Sequence, residues 1–353
     1  MAFAFNFANH DGEDAEDDLP DAPPLQTPYD HGESPSVPAI RHVVSDWEFY
    51  CLITILTHVQ LNLLPSQLSY ATVDIVSPTG KQLRLPRREL FDIRQQLMAE
   101  DSEATIRDLE TSDLRTNVYE GGFKTWECSI DLASLLLDRG PRKDIDELAR
   151  VANVIELGAG TALPTLILFQ HALRSSYPMT FTLADFNADV LRLVTLPNLL
   201  LTYAWCFEIS DTEKESPHGD LEVTPELVEK FLQALSTRHI EIQLLSGPWG
   251  PELAGFMPQS VPSMTSLVLA AETIYSPQSL SSFVDLLAAI LKSGPSNKAM
   301  VAAKKFYFGV GGSTDALKVA CSEFGMIAAE VENSGLTGMD KGVGRAIIEI
   351  QTI

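Results

Sequence analysis

A pair of glycines, an acid after an apolar run, and a second acid much further on are the residues of this chain whose types and spacing could do chemistry together. Glu156-Leu157-Gly158-Ala159-Gly160-Thr161-Ala162-Leu163-Pro164 follows the apolar run 151–157. Gly158 and Gly160 let the backbone turn tightly and approach a ligand closely. The amides of a helix opening after them would then face that ligand. A dinucleotide fingerprint needs a third glycine where Leu163 stands, so the turn suits an adenosine bearing a sulfonium rather than a pyrophosphate. Asp185 ends the next apolar run, where a carboxylate can accept both ribose hydroxyls of a nucleoside. Phe186 can pack on adenine, Asn187 can hydrogen-bond, and Glu156 can hold an amino group directly or through water. Taken singly, these features also read as an ordinary turn and a helix cap. Their order inside a strand–helix–strand pattern is what points to nucleoside binding.

The elements that must position these groups are legible from residue 116 onward. Apolar runs at 151–157, 180–184, 240–245, 267–271 and 300–303 alternate with helical stretches. Two further runs, 326–331 and 346–350, are joined by a Gly-rich connector that leaves no room for a helix, so they are expected to pair antiparallel. The fold class that follows is α/β: a Rossmann-like, doubly wound, seven-stranded sheet of the methyltransferase form, with a C-terminal antiparallel hairpin and an N-terminal extension. Residues 208–238 read as a polar insertion, helical near 224–236. The chain divides into an acidic, Pro-rich tail over 1–40 expected to be disordered, an N-terminal accessory region over 41–115, and the main domain over 116–353. Within the accessory region the patterns predict a helix over 46–65, a hairpin of strands 70–75 and 81–85 around Ser77-Pro78-Thr79-Gly80, and a helix over 86–110. Phe3, Phe5 and Phe7 alternate and could dock as a strand.

Composition narrows the function classes. The net charge is −23, and residues 1–40 carry nine acids and no Lys or Arg. That excludes a broad basic face for nucleic acid and favours a basic protein partner. The 4 cysteines are scattered without metal-ligand spacing, so neither a metal site nor a disulfide framework is expected. No Lys or Arg precedes Arg41 and no run of 18 apolar residues occurs, so neither a leader peptide nor a membrane helix is expected. A monomer of the cytoplasm and nucleus fits these features.

Several ordered segments resemble the histidine protein methyltransferases. Val118-Tyr119-Glu120-Gly121-Gly122-Phe123-Lys124-Thr125-Trp126-Glu127-Cys128-Ser129 is similar to their Tyr-Glu-Gly-Gly-x-Lys-x-Trp-Glu-Cys segment. Asp185-Phe186-Asn187, Val194-Thr195-Leu196-Pro197-Asn198, Ser246-Gly247-Pro248-Trp249, Glu272-Thr273-Ile274-Tyr275-Ser276-Pro277 and Tyr307-Phe308-Gly309-Val310-Gly311-Gly312 resemble further family segments. The likeness is good over about 118–350 and poor over 8–115. It implies S-adenosyl-L-methionine as cofactor, with Trp126, Glu127, Cys128 and Ser129 covering its methionine end. Gly247 and Trp249 would lie near adenine, and Ala271 would line the cleft. It also implies a histidine of a large-subunit ribosomal protein as substrate. Three departures stand out: Ala159 between the glycines, Ala271 where Ser is common, and Lys304-Lys305-Phe306 in place of Ser-Lys-Ala.

Methyl transfer from a sulfonium needs alignment above all. For a histidine acceptor, whose ordinary pKa is near ~6.5, most of the imidazole is already neutral at pH 7. One ring nitrogen attacks while the proton on the other must be held. Glu272 is the candidate for that task, with Glu120 competing, and Asn198, Tyr275 and Tyr307 would shape the pocket. Two alternatives stand beside this reading. Glu272-Thr273-Ile274-Tyr275 also fits the Glu-x-x-Tyr motif of lysine methyltransferases of the same superfamily, and a non-catalytic binding module could keep the fold. A dinucleotide oxidoreductase is countered by Leu163.

Overall fold

The computed structural model describes residues 39–43, 61, 64–100, 122–139, 151–176, 178–258, 265–294, 296–331, 336 and 338–353. The acidic tail, the alternating Phe residues, almost all of the helix expected over 46–65, and Glu120 lie outside the described residues. The strands are β1 (Ile40–Val43), β2 (Gln67–Val76), β3 (Gln82–Arg88), β4 (Val151–Leu157), β5 (Met179–Asp185), β6 (His218–Glu222), β7 (Ile240–Ser246), β8 (Thr265–Ala271), β9 (Lys298–Lys304), β10 (Met326–Glu330) and β11 (Arg345–Thr352). The main helices are α1 (Leu90–Ala99), α2 (Glu127–Arg139), α3 (Leu163–Ser175), α4 (Leu196–Phe207), α5 (Pro225–Arg238), α6 (Pro277–Lys292) and α7 (Thr314–Glu323).

Among the described residues, eight strands form the main sheet in the order β1-β7-β5-β4-β8-β9-β11-β10. The five from β7 to β9 run parallel. They are near-continuous apolar runs because both faces are covered. β11 inserts antiparallel between β9 and β10, which is the C-terminal hairpin expected from the Gly-rich connector. The seven expected strands therefore follow the doubly wound arrangement, and the chain crosses over to its second half between β4 and β8. Alternation along each strand splits the core. Val154, Leu267, Leu269 and Met300 face α2 and α3 through Leu132, Leu166 and Phe169. Ile155, Val268, Ala270 and Val301 face α6 through Phe283, Val284 and Leu287.

Two features were not legible beforehand. β1 joins the edge of the main sheet, antiparallel to β7, with Ile40 opposite Ser246. It spans the tail–accessory boundary drawn at residue 40; four residues are too few to show a period. The expected hairpin forms as β2 and β3, but β6 from the 208–238 insertion pairs with β2 to make a separate three-stranded sheet. The helix expected over 86–110 starts only at Leu90, because Pro86 to Arg88 continue β3, whose pairing with β2 runs through these residues.

The stretch Ala188–Phe207 is long and apolar enough to cross a membrane, but 83% of its most apolar window is buried inside the protein. It begins as a helical turn, widens into a π-helical turn over Leu191–Thr195, and continues as α4. Pro197 has no N–H to return to the carbonyl of Leu193. That carbonyl instead accepts Arg88 Nη1 at 2.9 Å. A buried arginine thus binds β3 to the irregular start of α4.

Candidate active site

The carboxyl ends of β4, β5, β8 and β9 meet at the crossover between the two halves of the sheet, where open α/β sheets bind ligands. A cleft open to solvent lies there, lined by Gly158, Gly160, Asp185, Trp249, Glu272 and Lys304 among others.

One end of the cleft is built from backbone. The amides of Gly158 and Ala159 both donate to the carbonyl of Ala184, at 2.8 and 2.9 Å, tying the glycine turn to the end of β5. Gly158 has φ +70°, and a Cβ there would stand 2.8 Å from Thr273 Cγ2. Only glycine satisfies both the backbone and the space. Asp185 Oδ2 accepts Gly160 N–H at 3.0 Å and Oδ1 accepts Asn187 N–H at 3.1 Å. Its carboxylate is therefore rigidly aimed. Glu156 is fully buried beneath the turn, and its Oε2 accepts Thr165 N–H at 3.2 Å. The residue before α3 is Ala162, which cannot cap, so Glu156 satisfies an amide of the first turn in its stead. Burial pushes the Glu156 carboxyl up to about 8, opposed by the Thr165 hydrogen bond and assisted by the charge of Asp185.

The other end is built from side chains. Glu272 stands directly after β8 with φ +59°, a left-handed conformation costly for a residue with a Cβ. Its amide donates to the carbonyl of Ala302 at 2.9 Å, which holds the strained backbone against β9. Tyr307 Oη donates to Glu272 Oε2 at 2.6 Å. Burial and the Glu272 charge push the Tyr307 phenol far above its usual range, so it stays a donor. Tyr307 is placed by a loop clamped onto the β8–α6 connection: Tyr307 N–H donates to Gly312 O at 2.9 Å and Gly312 N–H to Tyr275 O at 3.0 Å. Among the described residues Glu272 Oε1 is buried and accepts no hydrogen bond from an N–H or O–H donor, while the Cys128 thiol lies against the carboxylate. Lys304 Nζ stands 3.7 Å from Oε1.

The structure brings Trp126, Ser129, Glu156, Gly158, Gly160, Asp185, Phe186, Asn187, Trp249, Ala271, Glu272 and Tyr275 to this one cleft. Four expected residues sit elsewhere. Asn198 is wholly buried away from the cleft; its Oδ1 accepts Arg88 N–H at 2.7 Å and its Nδ2 donates to Thr161 O at 3.0 Å. It ties β3 to the glycine turn and shapes the pocket from behind. Gly247, with φ +136°, stands against the backbone of Ala39, where a Cβ would come within 2.7 Å of Ala39 Cα. Its role is to let the chain entering β1 pass. Glu127 points outward to Arg345 Nη1 at 3.3 Å with its side chain 68% exposed. Cys128 is buried on the next position of α2, and its thiol is pushed well above its usual range by burial first and by Glu272 second. The cleft also takes in Gly122, Lys124, Thr161, Val190, Thr273 and Lys304. Of these, Gly122 and Lys124 lie in the quoted Tyr119-to-Ser129 segment and Lys304 in the noted departure, whereas Val190 carried no signal.

These groups fit S-adenosylmethionine. Asp185 would hold the ribose and the Gly158–Gly160 turn would pass under the nucleoside. Glu156 would meet the amino group, which gives its costly burial a purpose. Once bound, the cofactor supplies an electrophilic methyl on a sulfonium.

No protein-family model matches the chain. It is similar to the "Histidine protein methyltransferase 1" of Schizosaccharomyces pombe, 41% identical over 260 residues that cover 72% of each chain. The protein of the same name from Saccharomyces cerevisiae is 38% identical over 255 residues, 65% of this chain and 66% of that one. A mouse "Histidine protein methyltransferase 1 homolog" is 26% identical over 239 residues, 68% of this chain and 59% of that one. With the glycine turn, the ribose acid and the doubly wound sheet in place, the chain belongs to the histidine protein methyltransferase family, and its cleft is that of an S-adenosylmethionine-dependent methyltransferase.

Proposed function

We propose that the protein transfers a methyl group from S-adenosylmethionine to an imidazole nitrogen of a histidine in a basic protein, a large-subunit ribosomal protein being the substrate class the family likeness suggests. The observation that carries this is Glu272 Oε1: a buried carboxylate oxygen in the cleft that, among the described residues, accepts no N–H or O–H, while its twin is held by Tyr307. An imidazole presenting one nitrogen's lone pair to the methyl group must have its other N–H held, and this oxygen can accept it. The charge of Glu272 then stabilises the imidazolium as it develops. Tyr307 keeps the carboxylate from rotating, and the strained backbone of Glu272 leaves it little freedom to move. After transfer the ring proton is lost to water.

A protein substrate, rather than a small molecule, is supported by the rim. Tyr307 points inward, whereas Phe306, Phe308 and Val310 on the same loop are exposed, and the rings of Phe306 and Phe308 stack edge-on at 5.0 Å. Apolar side chains grouped at a cleft mouth mark a contact surface. The acidity of the chain suits a basic partner met in the cytoplasm or nucleus by a monomeric enzyme, without direct contact to nucleic acid or membrane.

The deciding experiment incubates the protein with labelled cofactor and large-subunit ribosomal proteins and locates the label by mass spectrometry. Methylhistidine is the outcome that supports the reading. Label confined to lysine, or none from protein that binds the cofactor, would end it.

A further inference from the structure

We propose that Lys304 is a specificity-determining residue whose ammonium, resting on Glu272 at the acceptor end of the cleft, admits a neutral imidazole and turns away the charged amine of a lysine. The inference rests on the protein-histidine reading above and states why that site would choose histidine when its Glu-x-x-Tyr motif would serve a lysine as well.

Lys304 is the last residue of β9, and its side chain lies inside the cleft, 26% exposed. The Nζ is 3.7 Å from Glu272 Oε1, 5.4 Å from the ring centre of Trp126 and 5.8 Å from that of Tyr307. A carboxylate and two aromatic faces are the groups that recognise an ammonium. The acceptor end is thus built to receive one, and it already holds one that is covalently tethered. The other carboxylates nearby do not offset it. Asp131 and Glu127 are both taken by Arg345, at 2.6 and 3.3 Å.

The consequence differs for the two acceptors. A lysine side chain arrives as a cation, since its ordinary pKa is near ~10.4. It would have to share Glu272 with Lys304 in a partly shielded cleft, where like charges repel far more than in water. A neutral imidazole meets no such repulsion and can donate its N–H to Glu272 Oε1. Once methylated it becomes a cation itself, and the same ammonium then favours its departure.

The test measures binding apart from turnover. The full chain, loaded with S-adenosylhomocysteine, is titrated with imidazole and with n-butylamine at pH 7.5 and followed by NMR. Wild type and K304R should bind imidazole roughly ten-fold or more tighter than butylammonium. In K304Q that preference should shrink to within about three-fold. S-adenosylhomocysteine affinity reports whether the cleft survives, and K304M, titrated in parallel, decides should K304Q lose the fold. A wild type that shows no preference, or neutral variants that keep it, would overturn the inference. Turnover adds a second arm: with large-subunit ribosomal proteins as the probe, K304Q should raise methyllysine relative to methylhistidine about ten-fold. Wild type that prefers imidazole yet modifies no histidine would sink the protein-histidine reading and leave the filter standing.

Discussion

The two ends of the cleft are held by different kinds of bond. At the donor end the parts are backbone amides and one short acid: Gly158, Ala159 and Gly160 bonded to Ala184 and Asp185, all within 28 residues of one another. At the acceptor end the parts are long side chains from three distant segments: Trp126 before α2, Glu272 after β8, and Lys304 at the end of β9 with Tyr307 just beyond it. Backbone geometry tolerates almost any side chain nearby but no change of its own residues. A side-chain network can be retuned by one substitution, as Lys304→Gln would do. The fold thus keeps methyl-donor binding rigid and leaves acceptor choice adjustable.

The strongest way to break this contrast is to change one end and find the other affected. Glu272→Gln should lower kcat by roughly 10²–10⁴-fold, the usual span for a group that handles the reacting proton. Affinity for S-adenosylhomocysteine, measured by calorimetry, should stay within about three-fold. If turnover survives with donor affinity intact, Glu272 is not the acceptor carboxylate. Gly158→Val should do the reverse: a Cβ at φ +70° against Thr273 should weaken S-adenosylhomocysteine binding by about 100-fold or more.

Asn198→Ala probes the support behind the donor end. It leaves the Arg88 amide and the Thr161 carbonyl buried without partners, which should cost about 2–4 kcal/mol in urea unfolding. Donor affinity should fall a few-fold while the pH profile of kcat is unmoved, because Asn198 positions the turn and touches no reacting atom.

The last test sharpens the contrast through pH. Glu156 is raised in the fold to about 8, whereas in the unfolded chain it ionises near ~4.3. Between those values the unfolded state gives up its proton and the folded state keeps it. Stability of the free protein therefore falls as pH rises through that window, on the order of 1 kcal/mol per pH unit, and levels off above it. Glu156→Gln should remove this slope in denaturant titrations between pH 6 and 8. In wild type, S-adenosylmethionine should bind with release of a proton at pH 7, since its amino group favours the ionised carboxylate. Calorimetry in buffers of different ionisation enthalpy would detect this, and no proton release would argue that Glu156 serves α3 alone.

What the sequence by itself determined is the donor end and the sheet that carries it. The turn Glu156-to-Pro164, Asp185 and the apolar runs are local patterns, and local patterns dictate backbone conformation through sterics and period. The antiparallel close of the chain followed from a connector too short for a helix. Tertiary structure alone decided the rest. That β1 closes on β7, that the insertion lends β6 to the β2–β3 hairpin, and that Asn198 serves the turn from outside the cleft depend on pairings across 100 residues or more. The meeting of Lys304 with Glu272, only 32 residues apart, also belongs to tertiary structure, since it hangs on the register of β8 against β9 and on one rotamer. A motif can name the residues of such a network, but their contacts come from chain segments whose spacing in sequence says nothing about their separation in space.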